Sequence, residues 1–434
     1  MGKAYRPYLP DQDLLLPPSL RDWLPENHLV YFVSDVVDQL DLSAIEAHYE
    51  DELRGQPPYD PRLMTKLLIY AYCVGVFSSR KIHKRLMEDI SFKVLAAGNE
   101  PDFRTIADFR KIHLKALEGL FEQVLKITLE AGMMKLGRVA LDGTKVKANA
   151  SKHKAMSYGR MEEKEKQIRA EVKQLLAQAE AVDQEEDAQL GLGVRGDELP
   201  AELQRRETRL KKIRMAKRAL EERAREEAAA KGKAAEEVKG AQPADKDQYN
   251  FTDAESRIMM GADGFVQGYN AQAAVDSTAQ VIVAHALDAR QSDQHQLAPI
   301  ADAIEANLGR KPAQLSADAG YCSDANLAAL EEREIDGYIA PGRAKHASAG
   351  EGGSARIAAM REKIKAGGHA SPYRLRKQLP EPVFGQIKQA RGFRQFLLRG
   401  VEKVASEWGF VCVAHNILKL AQGWTLPEVR LAAG

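Results

Sequence analysis

Three short stretches set a carboxylate where it could do chemistry: Leu141-Asp142-Gly143-Thr144, Ser316-Ala317-Asp318-Ala319-Gly320-Tyr321 and Glu381-Pro382-Val383-Phe384-Gly385-Gln386-Ile387-Lys388. Asp142 and Asp318 each close a short apolar run ahead of a glycine, as strand-end residues do. Glu381 instead opens an amphipathic segment, with Pro382 in the first helical turn and Lys388 two turns further on. Two strand-end aspartates and one helix glutamate supply hard oxygen ligands for a pair of magnesium ions about 4 Å apart, an arrangement that stabilises both attacking and leaving oxygens in phosphoryl transfer. That chemistry cuts and joins nucleic acid. Lys388, about 10 Å along the helix from Glu381, is too far to pair with the carboxylate but well placed for a neighbouring phosphate.

Each of these residues has a plainer reading. An aspartate before glycine at a strand end is ordinarily turn chemistry, and only the combination argues for a site. Asp276 and Asp288 also end strands and read as turn formers. Glu402 and Glu407 rival Glu381, but each is followed by helix-core residues, and Glu407 beside Trp408 reads as a residue that orients the terminal helix. His415-Asn416 reads as a packing pair. Cys73, Cys322 and Cys412 are scattered, lack paired zinc spacing, and read as small core residues.

The order of the motifs resembles an insertion-sequence transposase of the DDE type, with a ribonuclease H-like catalytic core. The similarity spans nearly the whole chain. It rests on an amino-terminal helical segment, the Asp142-Gly143-Thr144 strand, the Gly268-Tyr269-Asn270-Ala271-Gln272 strand, the Asp318-Ala319-Gly320-Tyr321 strand, the Glu381-x6-Lys388 helix and a closing helix from Glu407-Trp408 to Lys419. The resemblance implies that Asp142, Asp318 and Glu381 are catalytic and bind Mg2+, with Mn2+ as a substitute. It implies double-stranded DNA, both element ends and target, as partner, and a homodimer when two ends are paired. One departure stands out: the family signature Tyr-x2-Arg-x3-Glu would need Tyr at 374 and Arg at 377, where this chain has Arg374 and Lys377. Tyr373 and Arg376 lie one residue out of that register.

A chain of 434 residues with a formal net charge of +1 does not look like a DNA-binding protein until the charges are located. From Gly342 onward there are 16 Lys and Arg against 6 Glu and no Asp, whereas acid is concentrated in runs such as Asp183 to Asp187. Local phosphate neutralisation sets non-specific DNA affinity, so a basic face can bind despite a near-neutral total. Lys388, Arg391, Arg394 and Arg399 are the candidates there; Arg80, Lys81, Lys84 and Arg85 are candidates near the amino terminus. No apolar run approaches the roughly 20 residues of a membrane span. No secretory signal opens the chain, so the reading is cytoplasmic and nucleoid-associated.

These residues need elements to position them. The sequence predicts an α/β fold: an RNase H-like mixed sheet flanked by helices, interrupted by a helical hairpin, preceded by an all-α region. The expected divisions are a helical DNA-binding region at 1–135, the start of the core at 136–156, a charged insertion at 157–247, the core again at 248–341, a flexible basic loop at 342–370, and carboxy-terminal helices at 371–434. Asp60-Pro61 opens one helix, and Ser78-Ser79 a second, basic one that suggests a helix-turn-helix-like reader. Thr105 to Asp108 resembles a capping box for a long helix ending at Gly132. The insertion is expected to form two helices, near Arg160 to Ala181 and Leu199 to Lys231, joined by the glycine-rich 191–198 turn. Two other functions stay open: a nuclease of the same fold without strand transfer, and an inactive transposase-derived DNA-binding protein.

Overall fold

The computed structural model describes residues 19–49, 57–190, 201–230, 234–261, 264–290, 292–341, 355–368 and 371–424. The amino-terminal region is helical: α1 (Leu29–Asp38), α2 (Pro61–Cys73), α3 (Ser79–Glu88), α4 (Phe103–Ile112) and α5 (Leu114–Glu130) are its main elements. Asp60 caps α2 by accepting from the Arg62 and Leu63 amides, with Pro61 in the first turn. The long helix expected from Thr105 divides in two. Its cap is Asp102, which accepts from the Arg104 and Thr105 amides, and the break falls at His113. The basic α3 packs chiefly on α4 and the short helix Ile90–Leu95.

The sheet comprises β1 (Arg138–Lys147), β4 (Arg257–Gly261), β5 (Gly264–Asp276), β6 (Ile282–Asp288), β7 (Gln314–Ala317) and β8 (Asp336–Ile339). A separate two-stranded ribbon joins β2 (Ala155–Ser157) to β3 (Gln248–Asn250). Across the main sheet the order is β6-β5-β1-β7-β8, with β4 extending β5. β1, β5 and β6 run antiparallel as a meander, and β7 and β8 pair parallel to β1. This is the mixed sheet of an RNase H-like fold. Helices α8 (Leu297–Leu308) and α9 (Asp324–Glu332) carry the chain between the parallel strands, and Ser323 caps α9. Gln296 occupies the cap position of α8, with no side-chain cap hydrogen bond.

Between β2 and β3 the chain leaves the sheet as two long helices, α6 (Tyr158–Leu190) and α7 (Ala201–Ala230). The expected glycine-rich turn at 191–198 lies outside the described residues. At the base of this arm Tyr158, Met161, Ile168, Leu210, Ile213, Ala216 and Leu220 form a small apolar cluster of their own. Ion pairs do the rest: Glu165 meets Arg214 and Lys217, each at 3.1 Å, and Glu171 meets Arg206 at 3.0 Å. Leu176 and Met215 stay outside this cluster, 40% and 61% exposed.

The stretch expected as a flexible loop contains a helix, α10 (Ala355–Gly367). Arg356 pairs with Glu331 and Asp324, and Lys363 with Asp336, so ion pairs to α9 and β8 hold it. The glycine-rich 350–354 segment, also expected to be flexible, lies outside the described residues. The chain ends with α11 (Pro380–Gly385), a π-helical turn (Gln386–Ala390) and α12 (Val401–Trp424). One apolar cluster runs from α1 and α2 through the sheet to α12. Cys73 and Cys412 lie in it, both buried.

Candidate active site

Asp142 is not at a strand end. β1 continues five residues beyond it, to Lys147, and pairs with β5 over its whole length. The Asp142-Gly143 step is therefore not a turn. Its glycine answers a different need: a Cβ at 143 would run into Gln272 and would stand 2.8 Å from Asp293 Oδ1 and 2.9 Å from Asn270 Oδ1. Gly143 and Lys145 lie opposite Gln272 and Asn270 on the paired strands. By the two-residue alternation of a strand, they share one face while Asp142 and Thr144 look out from the other.

Asp318 does follow its strand directly. In the parallel register Leu141 pairs with Ala317, so Asp142 and Asp318 are the next residues on adjacent strands. Neighbouring strands run roughly 4.8 Å apart, which brings the two carboxylates together despite their separation in sequence. Gly143 N–H donates to Asp142 Oδ1 at 2.7 Å, and Gly320 N–H to Asp318 Oδ1 at 2.6 Å. Burial pushes the Asp142 carboxyl up to about 6; the Gly143 amide pulls it down, while the charges of Asp318 and Asp293 add to the rise. A carboxyl crowded by two like charges is poised to take a cation.

Glu381 is exposed in the first turn of α11. That helix packs on β1, but among the described residues no three His, Cys, Asp or Glu side chains converge tightly enough to hold a metal ion. Asp142 and Asp318 are neighbours on adjacent strands, and Glu381 lies on the helix that packs on β1. The donor chemistry, hard carboxylate oxygens with excess negative charge, fits a divalent cation such as magnesium.

Lys388 does not project as a surface cation. The π turn widens the helix after Gly385, and Lys388 Nζ donates to Thr144 Oγ1 at 3.1 Å and to the Lys145 carbonyl at 3.0 Å. It ties α11 to the face of β1 that carries Asp142. Arg391 also turns inward, donating to the Gln386 carbonyl and to His415 Nδ1. Arg394 and Arg399 remain exposed, although Arg399 donates to the Asn149 carbonyl at 2.9 Å. Arg80, Lys81, Lys84 and Arg85 are exposed on α3; Lys84 pairs with Glu88 and Arg85 with Asp89.

The displaced Tyr-x2-Arg signature finds its place in the structure. Arg376 lies over the Tyr373 ring at 5.2 Å and brings Nη1 to 3.9 Å from Asp318 Oδ2. The Tyr-x2-Arg unit is intact one residue early, and Arg376 rather than the exposed Lys377 approaches the site.

Sequence reasoning missed Asp293 and its partners. Asp293 Oδ1 accepts from Asn270 Nδ2 at 2.5 Å, Gln272 Nε2 at 2.7 Å and Lys145 Nζ at 3.3 Å. Gln272 in turn accepts from the Tyr321 hydroxyl. This network backs β1 directly behind Asp142. The signal was present: Asn270 and Gln272 are polar residues at alternate positions of a strand that is buried from Gln267 onward, and buried amides need partners.

Residues 18–112 match a family described as a transposase domain (DUF772), and residues 236–417 match the transposase DDE domain. No curated protein and no solved structure gives a significant match. The two matches fall in the order that the motifs imply, on the helical region and on the sheet with its closing helices. Together the two matches support an insertion-sequence transposase of the DDE type.

Proposed function

We propose that the chain cuts DNA at the ends of a mobile element and joins them to a target by metal-dependent phosphoryl transfer at Asp142, Asp318 and Glu381. One observation carries this reading: the parallel register that sets Asp142 beside Asp318 on an RNase H-like sheet, under a helix that bears Glu381. Mg2+, or Mn2+ in its place, would be held by these three carboxylates and would stabilise charge on the attacking and leaving oxygens.

The protein's own residues have separable tasks. Gly143 and Gly320 amides fix one oxygen of each aspartate. Arg376 sits at the edge of Asp318 and moderates the repulsion between the pair. Glu381, in the first turn of the helix packed on β1, would supply the third carboxylate to a bound cation. Lys388 positions its helix on β1, and the exposed Arg394, Arg399 and α3 cations carry phosphate contacts. Two copies act together on two ends, with the projecting arm of α6 and α7 as the element that reaches between them.

The experiment is to incubate the protein with duplexes ending in the element's terminal repeats and a supercoiled target, with and without Mg2+. Joined products only with the cation are expected. Cleavage without any joining would favour the nuclease of the same fold.

A further inference from the structure

At the root of the arm, α7 passes over the β2-β3 ribbon and leaves a cavity of about 430 Å3. Small-ligand sites occupy roughly 300–1,000 Å3. Its walls divide by chemistry. Tyr249 and Phe251 line one side, with ring centroids 5.4 Å apart and edge to face, and Phe251 is 38% exposed. Lys154, Arg209 and Lys212 line the rim, and no acidic residue lines it among the described residues.

The absence of acid at this rim is not a property of the arm as a whole. On α7, Arg206, Arg214 and Lys217 are engaged by glutamates of α6. Arg209 and Lys212 sit one helical turn apart on the side turned to the ribbon, exposed and without an ion pair among the described residues. Met215, next on the same side, lines the cavity at 61% exposure. Unpaired cations, the exposed Phe251 ring and the half-buried Tyr249 ring therefore converge where the rest of the helix pair neutralises itself. Cations that track phosphates beside aromatic faces that stack bases are what single-stranded nucleic acid binds.

We propose that this cavity is a second DNA-contact site, which seats an unpaired base of a DNA strand on Phe251 while Lys154, Arg209 and Lys212 hold the flanking phosphates. The proposal rests on the reading of the chain as a DNA-processing enzyme. The β2-β3 ribbon keeps the site in place: Phe251 N–H donates to the Lys154 carbonyl at 3.1 Å, and Asn250 Nδ2 to the Ser151 carbonyl at 2.9 Å. Arg223, which does not line the cavity, stands over Tyr249 at 5.8 Å and holds that ring. A strand opened near the ends of a cut duplex would offer such an unpaired base; an intact duplex would not.

The test uses the full chain in EDTA, so that nothing is cut and a failure of the catalytic reading cannot affect the result. Fluorescence anisotropy would compare a blunt duplex with the same duplex carrying a short single-stranded tail. The tailed duplex should bind roughly tenfold more tightly. Phe251→Ala should abolish that preference and leave blunt-duplex affinity unchanged, while Phe251→Trp should keep it. Arg209→Ala and Lys212→Ala should each lower the log-log salt slope on tailed DNA by about one. Lys211→Ala, an exposed cation of the same helix outside the cavity, should change nothing. Equal affinity of the wild type for both duplexes, or a preference that survives Phe251→Ala, would overturn the proposal. So would self-association of the chain that Phe251→Ala removes, because the cavity would then belong to a second copy.

Discussion

Gly143 shows how closely a single residue can be constrained beside a carboxylate proposed to be catalytic. Its missing side chain leaves room for Asn270, Gln272 and Asp293, which meet behind β1 and hold the strand that carries Asp142. Gly143→Ala drives a methyl group into that network, and overpacking of this kind typically costs about 1–3 kcal/mol. The substitution should lower the thermal midpoint and reduce cleavage while leaving blunt-duplex affinity intact. A variant with wild-type stability and activity would show that the network has no part in placing Asp142. The aspartates were legible in the sequence because Asp-Gly-Thr and Asp-Ala-Gly-Tyr are local strings. Asp293 was not, since its partners lie on another strand and only the register brings them together. The contact of Lys388 with Thr144 was hidden for a similar reason: its seven-residue spacing from Glu381 assumes a regular helix, and the chain takes a π turn there.

At the scale of elements, the terminal helix α12 is secured by buried polar groups. Glu407 is fully buried and accepts from the Leu397 and Leu398 amides, fixing the loop before the helix. Asn416 bonds both the N–H and the carbonyl of Ile282, and Trp408 Nε1 donates to the Gln272 carbonyl, so the helix is locked to β6 and β5. Burial pushes the Glu407 carboxyl up to about 7 from an ordinary 4.5, against the opposing pull of the two amides. Because the folded protein binds this proton more tightly than the unfolded chain, the contribution to stability is complete below about 4.5 and is lost as pH rises through about 7. Glu407→Gln should flatten the decline in denaturation midpoint across that window and be the more stable form above it. An equally steep decline in the variant would assign the pH dependence elsewhere. The element order and the arm were readable from periodicity and composition, and the start of α2 from the cap chemistry of Asp60-Pro61. Helix α10 was not, because its Gly-rich, basic surroundings suggest a loop; Ile357 and Met360 pack on the core beside its ion pairs to α9 and β8. The split at His113 escaped too, as both halves share one helical pattern.

Taken whole, the amino-terminal helices are part of the catalytic body. α2 is buried against α12, Phe77 meets Phe393 edge to face at 5.0 Å, and a Cβ at Gly75 would fall 2.5 Å from the Arg391 carbonyl. Gly75 has φ +77°, a conformation suited to glycine, and lets the chain turn close against the π segment that follows Glu381. Removing residues 1–135 exposes the apolar face of α12. The remaining 136–434 chain is expected to lose cooperative unfolding, measured by calorimetry; a sharp transition in that fragment would show that the catalytic sheet stands alone. The proposed chemistry rests on three carboxylates: Asp142 and Asp318 on adjacent strands and Glu381 on the helix packed on β1. The most direct test of the account is cleavage and gel shift with Mg2+ on a terminal-repeat duplex for Asp142→Asn, Asp318→Asn and Glu381→Gln. Each substitution is predicted to reduce cleavage by at least about a thousandfold, with DNA affinity within a few-fold of the wild type. Near wild-type cleavage by any one of the three would contradict its assignment.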